Sequence, residues 1–191
     1  MRYQRQVMKS LDTSTDQESI LTGSPRFDEL AKDSLFKIAL IEPEIPQNTG
    51  NIGRSCVGTR SELHIVGKTG FDITDKNLKR AGLDYWQHLP WKHHPTFADW
   101  QNQLEKPERV FYFSTKAKQY YYQTEFEPGD VFVFGKETKG LDEDLLRRNE
   151  KQVLKIPLLG PIRSLNVATA VTIVLYEAIR QIESRGRLKL P

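Results

Sequence analysis

The chain has 191 residues, of which 38% are apolar, and it carries a formal net charge of +3. This length suits one domain with a short appendage, and so mild a positive charge is compatible with nucleic acid without requiring it. The single cysteine, Cys56, excludes an intrachain disulfide framework. No apolar run approaches the roughly 20 residues that span a bilayer, and the first residues lack the apolar core of a secretory signal. We therefore expect a cytoplasmic protein without a membrane partner.

The N-terminal part of the chain differs in composition from the rest. Residues 1–34 are polar, mixed in charge and without sustained hydrophobic periodicity, which predicts an arm that is flexible or loosely docked. Within it, Ser24 followed by Pro25 is typical of the start of a short helix. Residues 35–185 are predicted to form the folded domain, and residues 186–191 a short tail.

The hydrophobic pattern of the domain predicts strands that alternate with helices. Strands are predicted over 36–41, 63–66, 86–89, 110–113, 130–134 and 153–156. Helices are predicted over 51–58, 75–83, 95–104, 141–148 and 164–184, with apolar residues of the last at steps of three and four. Pro43 and Pro46 argue against helix over 42–48. This order predicts an α/β fold, in which helices cover both faces of a parallel sheet.

Three strings combine glycine, small polar residues and a basic residue. They are NTGNIGR at 48–54, FGKETKGL at 134–141 and IPLLGPIRSLN at 156–166. We interpret each as a loop, and the first and third directly precede predicted helices. Backbone N–H groups and positive charge at such places suit an anionic or polar ligand. The strings therefore predict a site assembled at one end of the sheet.

Several other kinds of site are not indicated. A Gly-x-Gly-x-x-Gly motif after the first strand and a P-loop are both missing, so the usual nucleotide sites are not expected. The histidines at 64, 88, 93 and 94 lack the spacing of metal ligands, and we interpret them as structural or surface residues without a bound metal. Cys56 is interpreted as a small buried hydrophobic residue.

The three strings, taken together and in this order, resemble the SPOUT class of S-adenosylmethionine-dependent RNA methyltransferases. Further strings, EPEIPQNTGN at 42–51, RAGLDY at 80–85 and LYEA at 175–178, are similar to those of its SpoU-type tRNA (cytidine/uridine) 2′-O-methyltransferases. The resemblance covers about residues 35–185. It implies a C-terminal trefoil knot, a homodimer whose sites use both subunits, S-adenosylmethionine as methyl donor, and tRNA as substrate, methylated on the wobble ribose.

The resemblance also implies roles for particular residues. The implied donor-binding residues are Phe113, Gly135, Glu137, Ile156, Leu158 and Ser164. The implied catalytic residues are Arg54, Ser164 and Asn166. Arg54 is also an implied RNA contact. Apart from the resemblance, basic side chains are candidates for contacts with RNA phosphates, namely Arg163, Lys116, Lys118, Lys76, Lys79 and Arg80.

Some of these residues have alternative interpretations. Arg54 acts either as the base that activates the 2′-hydroxyl or as a clamp on an RNA phosphate, and a guanidinium that stays protonated favours the clamp. Ser164 and Asn166 are also good helix N-caps. Glu137 is expected to hold Arg54 or a loop of the partner subunit. The run of tyrosines at 120–122 suits either stacking on a base or half-buried packing.

Two other functions are compatible with the sequence. One is 2′-O-methylation of ribosomal RNA or of another tRNA position. The other is a non-catalytic RNA-binding protein on the same fold. The short arm favours a minimal tRNA enzyme over one with an added RNA-binding domain.

Overall fold

A computed structural model describes residues 24, 26–73 and 85–190 of the chain. Its strands are β1 Phe36–Ile41, β2 Ser61–Val66, β3 Trp91–His94, β4 Val110–Phe113, β5 Gln119–Tyr120, β6 Val131–Phe134 and β7 Val153–Lys155. Its α-helices are α1 Phe27–Ala31, α2 Pro46–Gly58, α3 Phe97–Gln101, α4 Glu143–Arg148 and α5 Val167–Ser184. The helix predicted over 75–83, with Lys76, Lys79 and Arg80, lies outside the described residues.

The seven described strands form one sheet in the order β3-β2-β1-β6-β4-β7-β5. Every neighbouring pair is parallel. Because all strands run the same way, the segments that follow β1, β4, β6 and β7 leave the sheet at the same edge. The predicted α/β fold with a parallel sheet is confirmed.

Helices pack on both faces of the sheet, as predicted. On one face, strand residues such as Phe36 and Phe132 pack against Ile52 and Cys56 of α2 and against the buried stripe of α5. On the other face, a second cluster contains Trp100 of α3 together with side chains of α4. The stripe of α5 has buried members Val171, Val174, Leu175, Ala178 and Ile182. Each fully buried aliphatic side chain contributes roughly 1.5–3 kcal/mol, so this helix is firmly fixed.

The boundaries of several elements differ from the predictions. Helix α2 begins at Pro46, so the prediction that residues 42–48 contain no helix is wrong for the last three of them. Proline is tolerated at this position because the first N–H groups of a helix have no intrahelical acceptor. The strand predicted over 86–89 is a 3₁₀ turn at Trp86–His88, and the strand follows at Trp91–His94.

Two other helices are shorter than predicted, and one strand was missed. Helix α3 covers only Phe97–Gln101, after an N-cap at Thr96 whose side chain accepts a hydrogen bond from the Asp99 N–H. Helix α5 begins at Val167 rather than at residue 164. Strand β5 has only two residues, too few to give a hydrophobic pattern.

The described part of the arm contacts the outer strands of the sheet. The Ser24 N–H donates to the carbonyl oxygen of Trp91 at 2.7 Å. The Phe27 ring meets the His64 ring edge-on, with 6.0 Å between centroids. The prediction of a flexible or loosely docked arm concerns mainly residues 1–23, which are outside the described part of the chain. Among the described helices, none is both long and apolar enough to cross a membrane.

Candidate active site

A cavity of about 520 Å³ lies where the carboxyl ends of the strands meet. Its size is within the range of small-molecule sites, roughly 300–1,000 Å³. The segments that line it follow β4, β6 and β7 or begin α5. The lining residues are Ile45, Asn48, 113–116, 134–141, Ile156, Leu158, 163–167 and Ala170.

Nine of the ten predicted site residues line this cavity. They are Phe113, Lys116, Gly135, Glu137, Ile156, Leu158, Arg163, Ser164 and Asn166. The second and third strings therefore meet as predicted.

Arg54 is the one of these ten residues that does not line the cavity. Lys118, a further predicted phosphate contact, also lies outside the lining and pairs with Glu150. The first string is helical rather than a loop, because α2 already begins at Pro46. From Asn48, which lines the cavity, the position of Arg54 is roughly 9 Å further along the helix and about 240° around it. Arg54 is exposed, and its guanidinium lies 4.8 Å from the centre of the Tyr85 ring.

The Glu137 carboxylate fixes the start of α2. It accepts hydrogen bonds from the N–H of Glu44 at 2.8 Å, from the N–H of Ile45 at 3.2 Å and from Nδ2 of Asn48 at 3.0 Å. In return, the Glu44 carboxylate accepts from both the N–H and the hydroxyl of Thr138. Charge-assisted bonds of this kind are stronger than neutral ones, and a negative charge is favourable at a helix N-terminus. The bonds described for Glu137 thus go to the first residues of α2 and those just before it, not to Arg54, and its contact with a loop of the partner subunit stays a prediction.

Asn166 connects the third string to the first. Its Oδ1 accepts from the N–H groups of Ala168 and Thr169, which makes it the N-cap of α5. Its Nδ2 donates to Oδ1 of Asn48 at 2.9 Å. Because Asn48 in turn donates to Glu137, one chain of hydrogen bonds joins all three strings.

Ser164 is not the cap of α5, which leaves its hydroxyl to the cavity. It lies two residues before the cap, it is exposed, and it makes no side-chain hydrogen bond with other described residues. The capping interpretation is therefore correct for Asn166 and wrong for Ser164.

Gly135 is required by the loop in which it lies. A Cβ at this position would lie 2.2 Å from the backbone carbon of Gly140 and 2.3 Å from the nitrogen of Leu141. The loop closes on itself through a bridge between Lys136 and Gly140, whose φ is +71°. Any side chain at 135 would force this loop away from its position beside the cavity.

The Phe113 side chain belongs to the core rather than to the cavity surface. It is 9% exposed and stacks on Phe134, with 4.8 Å between ring centroids and 11° between planes. Its side chain therefore supports the wall of the cavity, while the backbone that follows it forms the rim.

The cations at the rim differ in their partners. Lys116 pairs with Glu143, and Lys136 pairs with Glu42. Lys139 and Arg163 have no ion pair with another described residue. Lys139 was not among the residues predicted to bind RNA or the methyl donor, although it lies within the second string, directly before Gly140.

The remaining chemistry-bearing side chains lie away from the cavity. Burial raises the pKa of the Cys56 thiol, so the residue stays uncharged, as the sequence predicted. Nδ1 of His64 lies 2.9 Å from Nε2 of His94, and Nε2 of His64 lies 3.0 Å from the Glu62 carboxylate. Among the described residues, no group of three or more His, Cys, Asp or Glu side chains is placed to hold a metal ion.

Comparisons with known proteins identify the family to which the chain belongs. The model of the SpoU rRNA Methylase family matches residues 35–176, and the chain belongs to this family. The match includes all three strings and every strand of the sheet.

Individual relatives carry more specific names than the family does. The chain is 41% identical over 155 residues to a tRNA (cytidine(34)-2′-O)-methyltransferase of Saccharophagus degradans, covering 80% of this chain and 99% of that protein. It is 39% identical over 157 residues to a protein of the same name from Burkholderia pseudomallei, covering 80% and 99% respectively.

Two solved structures are similar in fold. One, from work on the 2-OH methylation of C/U34 on tRNA, has a TM-score of 0.75 and 43% identity over 78% of this chain and 97% of its own. The other is the SpoU methyltransferase AviRb of Streptomyces viridochromogenes in complex with AdoMet. It has a TM-score of 0.70 and 25% identity, over 79% of this chain and 59% of its own.

Proposed function

We propose that this protein transfers a methyl group from S-adenosylmethionine to the ribose 2′-hydroxyl of the wobble nucleotide, cytidine or uridine, of tRNA. The observation that carries the proposal is the cavity, in which the second and third strings meet and are tied to the first by Glu137, Asn48 and Asn166. The two relatives named for methylation of cytidine 34 are matched over 99% of their lengths, which supports this substrate.

The cavity fits the methyl donor in size and in chemistry. Its volume of about 520 Å³ suits a ligand the size of a nucleoside with an amino-acid side chain. The backbone of Ile156 and Leu158 would hold the adenine edge, and Gly135 keeps the middle loop close beside it. The unbonded Ser164 hydroxyl faces the same space. When bound, the donor supplies a methyl group on a positively charged sulfur.

The protein's own part in the reaction is to position the substrates and to stabilise the charge that develops on them. In the transfer, the ribose oxygen would form a bond to the methyl carbon as the carbon–sulfur bond breaks, sulfur would keep the electron pair, and the hydroxyl proton would pass to solvent water. A guanidinium stays protonated near neutral pH. Arg54 therefore acts as a phosphate clamp and stabilises the charge that develops on the ribose oxygen.

Arg54 reaches a cavity only if a second chain brings it there. We infer a homodimer in which α2 of one subunit faces the cavity of the other. Helices α2 and α5 pack together, with Ser55 Oγ 2.8 Å from Thr172 Oγ1. Beside them the surface carries exposed apolar side chains, including Tyr176 at 56% and Ile162 at 55% exposure. Apolar exposure of this kind supports a subunit interface.

Three further inferences accompany this function. The third string passes through a trefoil knot, an arrangement supported by the position of β6 between β1 and β4 and of β7 between β4 and β5. Lys139 and Arg163, which have no ion pair with another described residue, contact RNA phosphates at the cavity rim, with Lys116 released from Glu143 as a third contact. The enzyme works in the cytoplasm, where its tRNA substrate is.

The direct test is incubation of the purified protein with labelled S-adenosylmethionine and unmodified total tRNA. Alkaline hydrolysis then maps the ribose methyl group, because a 2′-O-methyl group protects the following phosphodiester bond. We expect protection after the first anticodon nucleotide, and loss of methylation but not of donor binding in Arg54→Ala. Methylation of ribosomal RNA instead would favour the alternative substrate, and absence of donor binding would contradict the proposed function.

A further inference from the structure

Two tyrosine rings, of which one is half-buried and the other is exposed, form a flat stack at the outer edge of the sheet. The rings of Tyr120 and Tyr122 lie 5.5 Å apart with only 5° between their planes. Nζ of Lys155 lies 4.9 Å from the centre of the Tyr120 ring. Tyr122 is 50% exposed. We call these three residues the tyrosine platform.

The platform is not needed to fill the core. The residue between the two rings, Tyr121, packs against the main hydrophobic cluster and anchors the 3₁₀ turn. Tyr120 and Tyr122 turn away from that cluster and stack on each other instead. A large ring left half in solvent gains little from burial, so packing alone does not explain Tyr122.

The platform lies next to the cavity. Tyr120 is paired in register with Lys155, and the residue after Lys155 is Ile156, which lines the cavity. Strand spacing and rise per residue put the Tyr120 backbone roughly 6 Å from that of Ile156. The segment before β5 also reaches the cavity, through Ser114 and Lys116. An RNA strand held at the cavity therefore passes the platform within about one nucleotide.

We propose that the tyrosine platform stacks an unpaired base of the anticodon loop adjacent to the nucleotide that is methylated. Sequence-tolerant contacts to single-stranded RNA typically combine aromatic faces with nearby cations. The platform supplies both, since Lys155 is placed to contact the phosphate of the stacked nucleotide. This inference rests on the proposed function, and it names the contact that holds the loop beside the cavity.

The test compares Tyr122 variants on unmodified tRNA. Tyr122→Ala is expected to weaken tRNA affinity by roughly 5- to 150-fold, the equivalent of about 1–3 kcal/mol. The maximal methylation rate and the affinity for S-adenosylmethionine stay unchanged. Tyr122→Phe keeps the ring and is expected to keep the affinity, whereas Tyr122→Leu keeps apolar surface without a flat ring and is expected to behave like Tyr122→Ala.

A spectroscopic readout separates stacking from a general effect on structure. An anticodon stem-loop RNA with 2-aminopurine beside the wobble nucleotide is expected to lose fluorescence on binding wild-type protein and Tyr122→Phe, but not Tyr122→Leu. Equal tRNA affinity and equal quenching in all variants would overturn the platform. Conversion of Tyr122→Ala to a monomer would also overturn it, since the surface would then be a subunit contact. Wild-type protein that methylates no tRNA would instead contradict the proposed function.

Discussion

Two groups of polar side chains differ in what their hydrogen bonds connect. They are a cavity group, Glu137, Asn48 and Asn166, and a histidine group, Glu62, His64 and His94. At the cavity, Glu137, Asn48 and Asn166 bind backbone N–H groups and one another. Towards the β3 edge of the sheet, Glu62, His64 and His94 bind one another across the adjacent strands β2 and β3, and Glu62 also pairs with Lys37 of β1. The first group fixes the positions of loops, and the second satisfies buried side chains.

The difference separates a site from a structural cluster. The cavity group joins segments that are about 90 to 120 residues apart and leaves Ser164, Lys139 and Arg163 beside it without described partners. The histidine group has buried members, with His94 only 2% exposed. Buried polar groups must be paired, so such a cluster needs no ligand to explain it.

The largest expected effect concerns the histidine group and pH. Burial, followed by the positive field of His64 and Lys92, lowers the pKa of His94 to about 4. The unfolded chain therefore binds more protons than the folded protein between about pH 6.5 and 4, and stability falls as the pH falls through this window. The loss from this residue is at most about 3 kcal/mol.

Urea unfolding of wild-type protein, His94→Asn and His88→Asn between pH 7 and 4 measures this effect. His88 is exposed and serves as the matched control. We expect His94→Asn to have a flatter pH dependence than the other two proteins. Identical pH profiles for all three would mean that the pKa of His94 is not lowered in the folded protein, which would contradict this account of His94.

The next effect concerns Glu137. Glu137→Gln replaces one acceptor oxygen with an NH₂ group that faces other donors, and we expect the free energy of unfolding to fall by about 2 kcal/mol. Affinity for S-adenosylmethionine is expected to fall with it, because the loops at 42–48 and 135–141 lose their common anchor. Chemical denaturation and calorimetric titration measure the two quantities.

Glu143→Gln is the control for this change. Glu143 is an exposed carboxylate that pairs with Lys116, and its substitution is expected to leave the free energy of unfolding nearly unchanged, because solvent screens such surface pairs. Equal effects of the two substitutions would contradict the anchoring role of Glu137.

The smallest expected effect on stability concerns Asn166. Its variants separate its role as the cap of α5 from its hydrogen bond to Asn48. Asn166→Asp keeps an oxygen that caps α5 but removes the N–H donor to Asn48, so we expect near-normal stability and little methylation. Asn166→Ala removes both and is expected to cost about 1 kcal/mol as well. Thr96→Ala removes the cap of α3, away from the cavity, and is expected to lose similar stability with normal methylation. Full activity of Asn166→Asp would mean that Asn166 acts only as a helix cap.

Much of the fold was predictable because it depends on local patterns. Apolar strands, the stripe of α5 and the order of elements follow from residue periodicity alone. The start of α2 was missed because Pro46 indicates a loop or the first turn of a helix equally well. The two-residue strand β5 was missed because it exists only through its pairing with β7.

The sequence was sufficient to predict which residues lie at the candidate site, but not which hydrogen bonds hold them together. Seven of the nine predicted residues at the cavity lie within the three strings, and Phe113 and Lys116 lie outside them. The bonds of Glu137 to the segment before α2 join residues about 90 positions apart, and no local pattern encodes them. The distance of Arg54 from the cavity of its own chain follows from the helical phase of α2, which depends on where that helix begins.

The central claim is that the cavity of one subunit works with Arg54 of another. Co-expression of Arg54→Ala and Asn166→Asp chains carrying different tags, followed by purification through both tags, gives mixed dimers in which one site has an intact cavity and an intact Arg54. Each variant alone is expected to be inactive on unmodified tRNA, and the mixed dimer is expected to recover about half of the wild-type activity, one site of two. A mixed dimer as inactive as its parents would show that Arg54 and the cavity act within one chain, which would contradict the account.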